Sequence, residues 1–130
     1  MKTKTNYIKV SSYEGKVGEV KKVLLLYSGG LDTSVMLKWI QDTYKVEVIT
    51  LTMDIGQQSD DLLAIQNKAL KFGAKKAIVL DVKDEFAEKY ISLGIKANAS
   101  YQGEYHLSTP IGRAIIGAKA VELAKSVGAD

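Results

Sequence analysis

The chain predicts an α/β fold: a parallel sheet with helices on its flanks. Three observations carry this. Short apolar runs alternate with amphipathic stretches of helical length. The first of those runs breaks into Ser28-Gly29-Gly30 and reopens as a helix at Asp32-Thr33-Ser34. Finally, 130 residues with 46% hydrophobic content suffice for one core but not for several domains.

In order along the chain, Val23 to Tyr27 reads as a buried strand, because five consecutive apolar or aromatic residues lead into the glycines. Asp32 to Tyr44 reads as a helix with Val35, Met36, Trp39 and Ile40 on its apolar face. Val46 to Met53 is a second strand, rich in β-branched residues. Ser59 to Phe72 is a helix that turns Leu62, Leu63, Ile65, Ala69, Leu70 and Phe72 largely inward, with Gly73 at C′ to stop it. Ala77 to Val82 is a third strand, Asp84 to Tyr90 a short helix, and Ile111 to Val127 a long one ended by Gly128. Ser92 to Pro110, holding Gly94 and Gly103, reads as a loop. Strands separated by helices of this length imply right-handed crossovers and parallel pairing. Ligands of such sheets bind beyond the carboxyl ends of the strands. The chemistry is therefore expected after Tyr27, in the turn Met53-Asp54-Ile55-Gly56-Gln57, and after Val82.

Composition narrows the function classes. The net charge of +3 comes from scattered lysines, with no dense basic stripe to suit nucleic acid. There is no cysteine, so this chain carries no disulfide framework, thiolate metal site or sulfur relay. No apolar run approaches the roughly 18 residues of a membrane span, and no signal peptide is visible. The expectation is a cytoplasmic protein with neither membrane nor nucleic-acid partners.

The segment Leu26 to Ser34 holds the most specific chemistry. Adjacent glycines let backbone N–H groups approach a ligand, Ser28, Thr33 and Ser34 add hydroxyls, and a helix N-terminus behind them favours negative charge. That combination suits a pyrophosphate. Neither a Walker A loop nor the dinucleotide fingerprint is present. The segment instead resembles the PP-loop, Ser-Gly-Gly-x-Asp-[Ser/Thr], of the ATP pyrophosphatases that split ATP between its α and β phosphates.

A closer resemblance follows from further motifs in order: Tyr27-Ser28-Gly29-Gly30-Leu31-Asp32-Thr33-Ser34 with Leu37-Lys38-Trp39, Asp54-Ile55-Gly56-Gln57, Asn67-Lys68-Ala69-Leu70, Glu85-Phe86-Ala87, Ile95-Lys96-Ala97-Asn98-Ala99 and Tyr101-Gln102-Gly103-Glu104-Tyr105. From about Lys22 to Asp130 the chain resembles the argininosuccinate synthase family. That resemblance implies an adenine nucleotide α-hydrolase-like, Rossmann-like fold. It implies ATP with magnesium as cofactor, and citrulline and aspartate as ligands, joined with release of AMP and pyrophosphate. It assigns Leu26, Tyr27, Ser28, Gly29, Gly30, Leu31, Asp32, Thr33 and Ser34 to nucleotide binding. Met53 joins them through its main chain at the adenine edge, unless it only closes a strand in the core. Tyr105 and Thr109 match the substrate segment. Asp32 is a magnesium contact or a cap on neighbouring N–H groups. Arg113 matches a family arginine or anchors the loop by a salt bridge. His106, the single histidine, has no assigned role, and no residue stands out as a general base.

Departures from the family pattern are as specific. Ser108-Thr109-Pro110 stands where the family has Gly-Thr-Ser, and Leu26 replaces a smaller residue beside the nucleotide. The family's next strand would begin after Asp130, followed by a Gly-rich loop, an Asn-Asp pair and a second domain. The expectation is a fold truncated before its fourth core strand, which keeps the phosphate cradle and works as a homo-oligomer or with a complementing subunit. Residues 1–21 read as an extension before the 22–130 domain: its β-favouring run Asn6 to Tyr13 adds a strand to the sheet or pairs with a second copy, or else the extension is a disordered leader. Three functions follow: an argininosuccinate synthase or a relative of it, a noncatalytic ATP- or AMP-binding module, or another PP-loop activity.

Overall fold

A computed structural model describes residues 15–57, 61–103 and 105–130, with the backbone alone at 101, 105, 106, 108 and 109. The elements run β1 (Lys22–Leu26), α1 (Leu31–Tyr44), β2 (Glu47–Asp54), α2 (Leu62–Lys71), β3 (Lys76–Asp81) and α3 (Lys83–Glu85). A π-helical stretch (Phe86–Ile91), α4 (Ser92–Lys96), β4 (Ser100–Tyr101), β5 (Tyr105–His106) and α5 (Ser108–Val127) follow. The segment Asn6 to Tyr13, expected to add or pair a strand, lies outside the described residues. Nearer the sheet, a turn closes with the Glu19 N–H on the Lys16 carbonyl at 3.1 Å.

β1, β2 and β3 form a three-stranded parallel sheet in that order. The register sets Lys22 opposite Glu47 through Leu26 opposite Leu51, and Ile49 opposite Lys76 through Asp54 opposite Asp81. β2 lies between its neighbours with six consecutive buried residues, Val48 to Met53, as a strand covered on both faces should.

Side chains alternate between two cores. Val23, Leu25, Tyr27 and Val48 meet α1 and α2 through Leu37, Ile40, Ile65 and Ala69. Leu24, Leu51, Met53, Ile78 and Leu80 meet the π-helical stretch and α5 through Phe86, Tyr90, Ile91, Ile111 and Ile115. The result is three layers, with α1 and α2 on one face of the sheet and the π-helical stretch and α5 on the other.

Several expectations are corrected. α1 buries Ser34 and Leu37, while Val35, Met36 and Trp39 are exposed. Apolar residues occur nearly all round this helix, so periodicity alone did not select the face that meets the sheet. In α2, Ala69 is buried and Ile65 packs on the core, but Leu63, Leu70 and Phe72 are exposed. The helix ends as expected: Gly73, at φ 94°, donates to the Leu70 carbonyl at 3.0 Å.

The stretch read as a loop from Ser92 to Pro110 is more ordered than that. It contains α4, an antiparallel β4–β5 pair with Tyr101 opposite Tyr105, and the start of α5. Pro110 is the third residue of α5, where a backbone N–H has no intrahelical partner to lose.

Candidate functional site

The loop from Tyr27 to Gly30 leaves the carboxyl end of β1 and enters α1. Gly29 adopts φ 78°, and a Cβ there would stand 2.8 Å from Cγ1 of Ile65. Glycine is thus required twice, by conformation and by the approach of α2. Gly30 is the N-cap of α1, with extended φ of −71° and no side-chain cap. Donors at that helix start remain available to an anion, where the helix dipole favours negative charge.

Hydroxyls hold the loop from within. Ser34 Oγ donates to the Gly30 carbonyl at 2.7 Å and lies 2.9 Å from the Tyr27 hydroxyl. Both side chains are buried, so their pairing braces the loop from below; Tyr27 also borders a hollow beside the loop, and Ser34 does not. Ser28 Oγ accepts from the Gly30 N–H at 3.3 Å and meets Thr33 Oγ1 at 3.2 Å. From β2, Thr52 Oγ1 donates to the Tyr27 carbonyl at 2.7 Å and ties the two strand ends together.

Two hollows flank this loop. One, of about 320 Å³, is lined by Leu26, Tyr27, Ser28, Thr33, Met53 and Gln57 with Ile65 and Ile116 behind. The other, of about 360 Å³, lies between Ser28, Gly29, Gly30 and the start of α2 at Asp61, Ile65 and Lys68. Together they form a cleft with an apolar side at Leu26 and Met53 and a donor-rich side at the glycines. The apolar side has the character of a base or sugar pocket, and the other the character of an anion pocket. The structure therefore gathers Leu26, Tyr27, Ser28, Gly29, Gly30, Thr33 and Met53 at one place.

Other expected site residues sit differently. Leu31 is 78% exposed and Asp32 is exposed in the first turn of α1; neither lines the two hollows. Asp32 makes no capping hydrogen bond among the described residues. Tyr105 lies in β5 and Thr109 in the first turn of α5; their side chains fall outside what is described. Arg113 is exposed on α5 and forms no salt bridge among the described residues. The Met53 carbonyl accepts Gln57 Nε2 at 3.0 Å, so the turn after β2 folds back on the strand end.

Thr52, Ile65, Lys68 and Ile116 have no site assignment from the sequence, which places Ile65 on a core-facing helix and Lys68 in the motif Asn67-Lys68-Ala69-Leu70. No local pattern marks any of the four as a partner of the loop, although helical spacing puts Asp61, Ile65 and Lys68 on one face of α2.

A second charged group occupies the ends of β2 and β3. Lys83 Nζ lies 2.8 Å from Asp54 Oδ2 and 3.0 Å from Asp81 Oδ2. Hydrogen bonds from the Lys83 ammonium and the Gly56 N–H hold the Asp54 carboxyl below the usual carboxylate range. Asp81 is lowered by the Lys83 N–H and ammonium, and the two carboxylates raise Lys83 in return. No group of three metal-ligating side chains occurs among the described residues. None of the described helices is long and apolar enough to cross a membrane.

Residues 22–130 match the family model of the arginosuccinate synthase N-terminal HUP domain. An argininosuccinate synthase of Campylobacter hominis is 53% identical over 113 residues, covering 85% of this chain and 28% of that protein. Another, of Thermoplasma acidophilum, is 54% identical over 108 residues and covers 83% of this chain and 26% of that protein. The chain thus spans little more than a quarter of the length of these relatives. Among solved structures, NAD+ synthetase of Burkholderia pseudomallei aligns with a TM-score of 0.55 at 15% identity, over 82% of this chain and 42% of that one. At that identity the likeness speaks for the fold alone.

Proposed function

The chain belongs to the argininosuccinate synthase family, matching its N-terminal HUP domain, and from that premise we propose that it binds ATP as the nucleotide-binding part of an AMP-forming ligase that joins citrulline to aspartate. The observation that carries this reading is the loop itself. Gly29 is pressed against Ile65 at positive φ, and the Ser28 and Thr33 hydroxyls stand at the start of α1, beside an apolar hollow at Met53.

The triphosphate would lie along Ser28, Gly29, Gly30 and Thr33, with Tyr27 and Ser34 holding the loop in shape. The adenosine would fill the side bounded by Leu26 and Met53. Leu26 is 43% exposed and narrows that side relative to a smaller residue. Magnesium, when bound with the triphosphate, supplies charge neutralisation. Asp32, exposed in the first turn of α1, is the carboxylate available to it from this loop.

In the reaction proposed, the citrulline ureido oxygen attacks the α-phosphorus and pyrophosphate leaves. The aspartate amine then attacks the ureido carbon, loses a proton and displaces AMP. Adenylation makes a good leaving group of an oxygen that is otherwise a poor one. This chain's contribution would be position and charge stabilisation by backbone donors. Tyr105 and Thr109 are the residues proposed to meet citrulline, and further copies or a complementing polypeptide would complete that pocket.

Calorimetric titration with ATP and magnesium, repeated after citrulline is added, tests the reading. We expect ATP to bind, with an affinity that citrulline strengthens. Binding indifferent to citrulline would leave a nucleotide-binding module without the substrate half. Absence of ATP binding would overturn the proposal.

A further inference from the structure

The loop Tyr27 to Ser34 contains one formal charge, and it is the carboxylate of Asp32. A helix N-terminus contributes about half a positive charge, well short of what a polyphosphate carries. The cation comes from elsewhere in the fold. Lys68, two turns into α2, donates from Nζ to the Gly29 carbonyl at 2.6 Å across 39 residues of sequence. It does so from the helix face that presents Ile65 to the same glycine. The tether spends one of three N–H donors, and the ammonium borders the hollow at Ser28, Gly29, Gly30 and Asp61. Lys83, Lys89 and Lys119 each pair with carboxylates. Lys68 has no such pair among the described residues, so its charge is not neutralised there.

We infer that Lys68 is a phosphate-binding residue, supplying from α2 the positive charge for the β,γ-phosphate tail while it holds the Gly29 peptide in place. This rests on the nucleotide reading above. It separates the ligand into two parts: the tail meets Lys68 and the loop glycines, and the AMP part meets Ser28, Thr33 and the Met53 hollow. A lysine that only trims a carbonyl would affect all nucleotides alike, through the loop's shape.

The test titrates pyrophosphate, ATP and AMP separately into the full 130-residue chain and into its Lys68→Met and Lys68→Arg variants. Thermal melts report folding alongside. Loss of one charge-assisted contact should weaken pyrophosphate and ATP by about ten- to a hundredfold in Lys68→Met. AMP affinity should be unchanged, and Lys68→Arg should recover most of the loss. If the unsubstituted chain binds pyrophosphate and Lys68→Met binds it equally well, the assignment to Lys68 falls and the nucleotide reading stands. Equal weakening of AMP and pyrophosphate in Lys68→Met would also overturn it, in favour of a structural tether. If the unsubstituted chain binds none of the three ligands, the nucleotide reading itself falls. Should Lys68→Met not unfold cooperatively, Lys68→Arg decides: retained pyrophosphate binding supports the role, and joint loss of pyrophosphate and AMP rejects it.

Discussion

The ends of β1 and β2 and the ends of β2 and β3 lie one strand apart on the same edge of the sheet, yet they handle charge in opposite ways. Between β2 and β3, Lys83 is matched by Asp54 and Asp81, and the Gly56 N–H is spent on Asp54 Oδ1 at 2.9 Å. That corner is closed electrostatically. At β1 and β2 the same edge offers hydroxyls, backbone donors at a helix start and an ammonium whose partner among the described residues is a carbonyl. Burial of Tyr27 and Ser34 makes that corner rigid without consuming its donors at the mouth. A polar cluster that satisfies itself acts as a latch, and one that leaves donors open has room for an anion.

Substitutions should separate the two corners, and the largest effect should come from Gly29→Ala. The new methyl meets Ile65 and must adopt φ 78°, a conformation costing about 1–3 kcal/mol before any overlap. ATP binding measured by calorimetry should be lost, with a clear fall in melting temperature. Ser34→Ala comes next. It strips the Tyr27 hydroxyl of its partner in a buried setting, a loss of about 1–3 kcal/mol readable in urea unfolding, and it should loosen nucleotide binding in parallel.

Lys83→Met should behave differently. It leaves Asp54 and Asp81 facing each other without a cation, so the urea midpoint should fall while ATP affinity stays within about twofold. A large loss of ATP binding in that variant would show that the second corner is not merely a latch.

The smallest effect is in acid. Asp54 and Asp81 are held below the usual carboxylate range when folded. The unfolded chain therefore binds more protons, and stability rises with pH through their titration. Their contribution is complete above about pH 5 and is lost as the pH falls below about 4. In Asp54→Asn this acid-side slope should flatten in urea midpoints measured across pH, with no change near neutrality in its shape.

Much of this was legible in one dimension. Ser28-Gly29-Gly30 after an apolar run marked the β1–α1 junction, because few residue types permit that turn. The three strands were placed to within a residue or so, since β-branched runs bounded by turn residues leave little choice. The buried face of α1 was misread because Val35, Met36 and Trp39 are as apolar as the residues that do face the sheet. The β4–β5 pair escaped because two-residue strands carry no periodicity. Lys68 escaped as a partner of the loop because nothing local announces a contact across 39 residues.

By itself, the sequence determined the α/β class, the Ser-Gly-Gly junction of β1 and α1, and the family, because these depend on residue type and short-range spacing. Tertiary structure decided which face of each helix is buried, and that Ser34 and Tyr27 brace the loop. It also set Lys68 at Gly29 and paired Lys83 with two aspartates. Those outcomes depend on how layers dock and on strand register, which bring together groups that no local pattern relates.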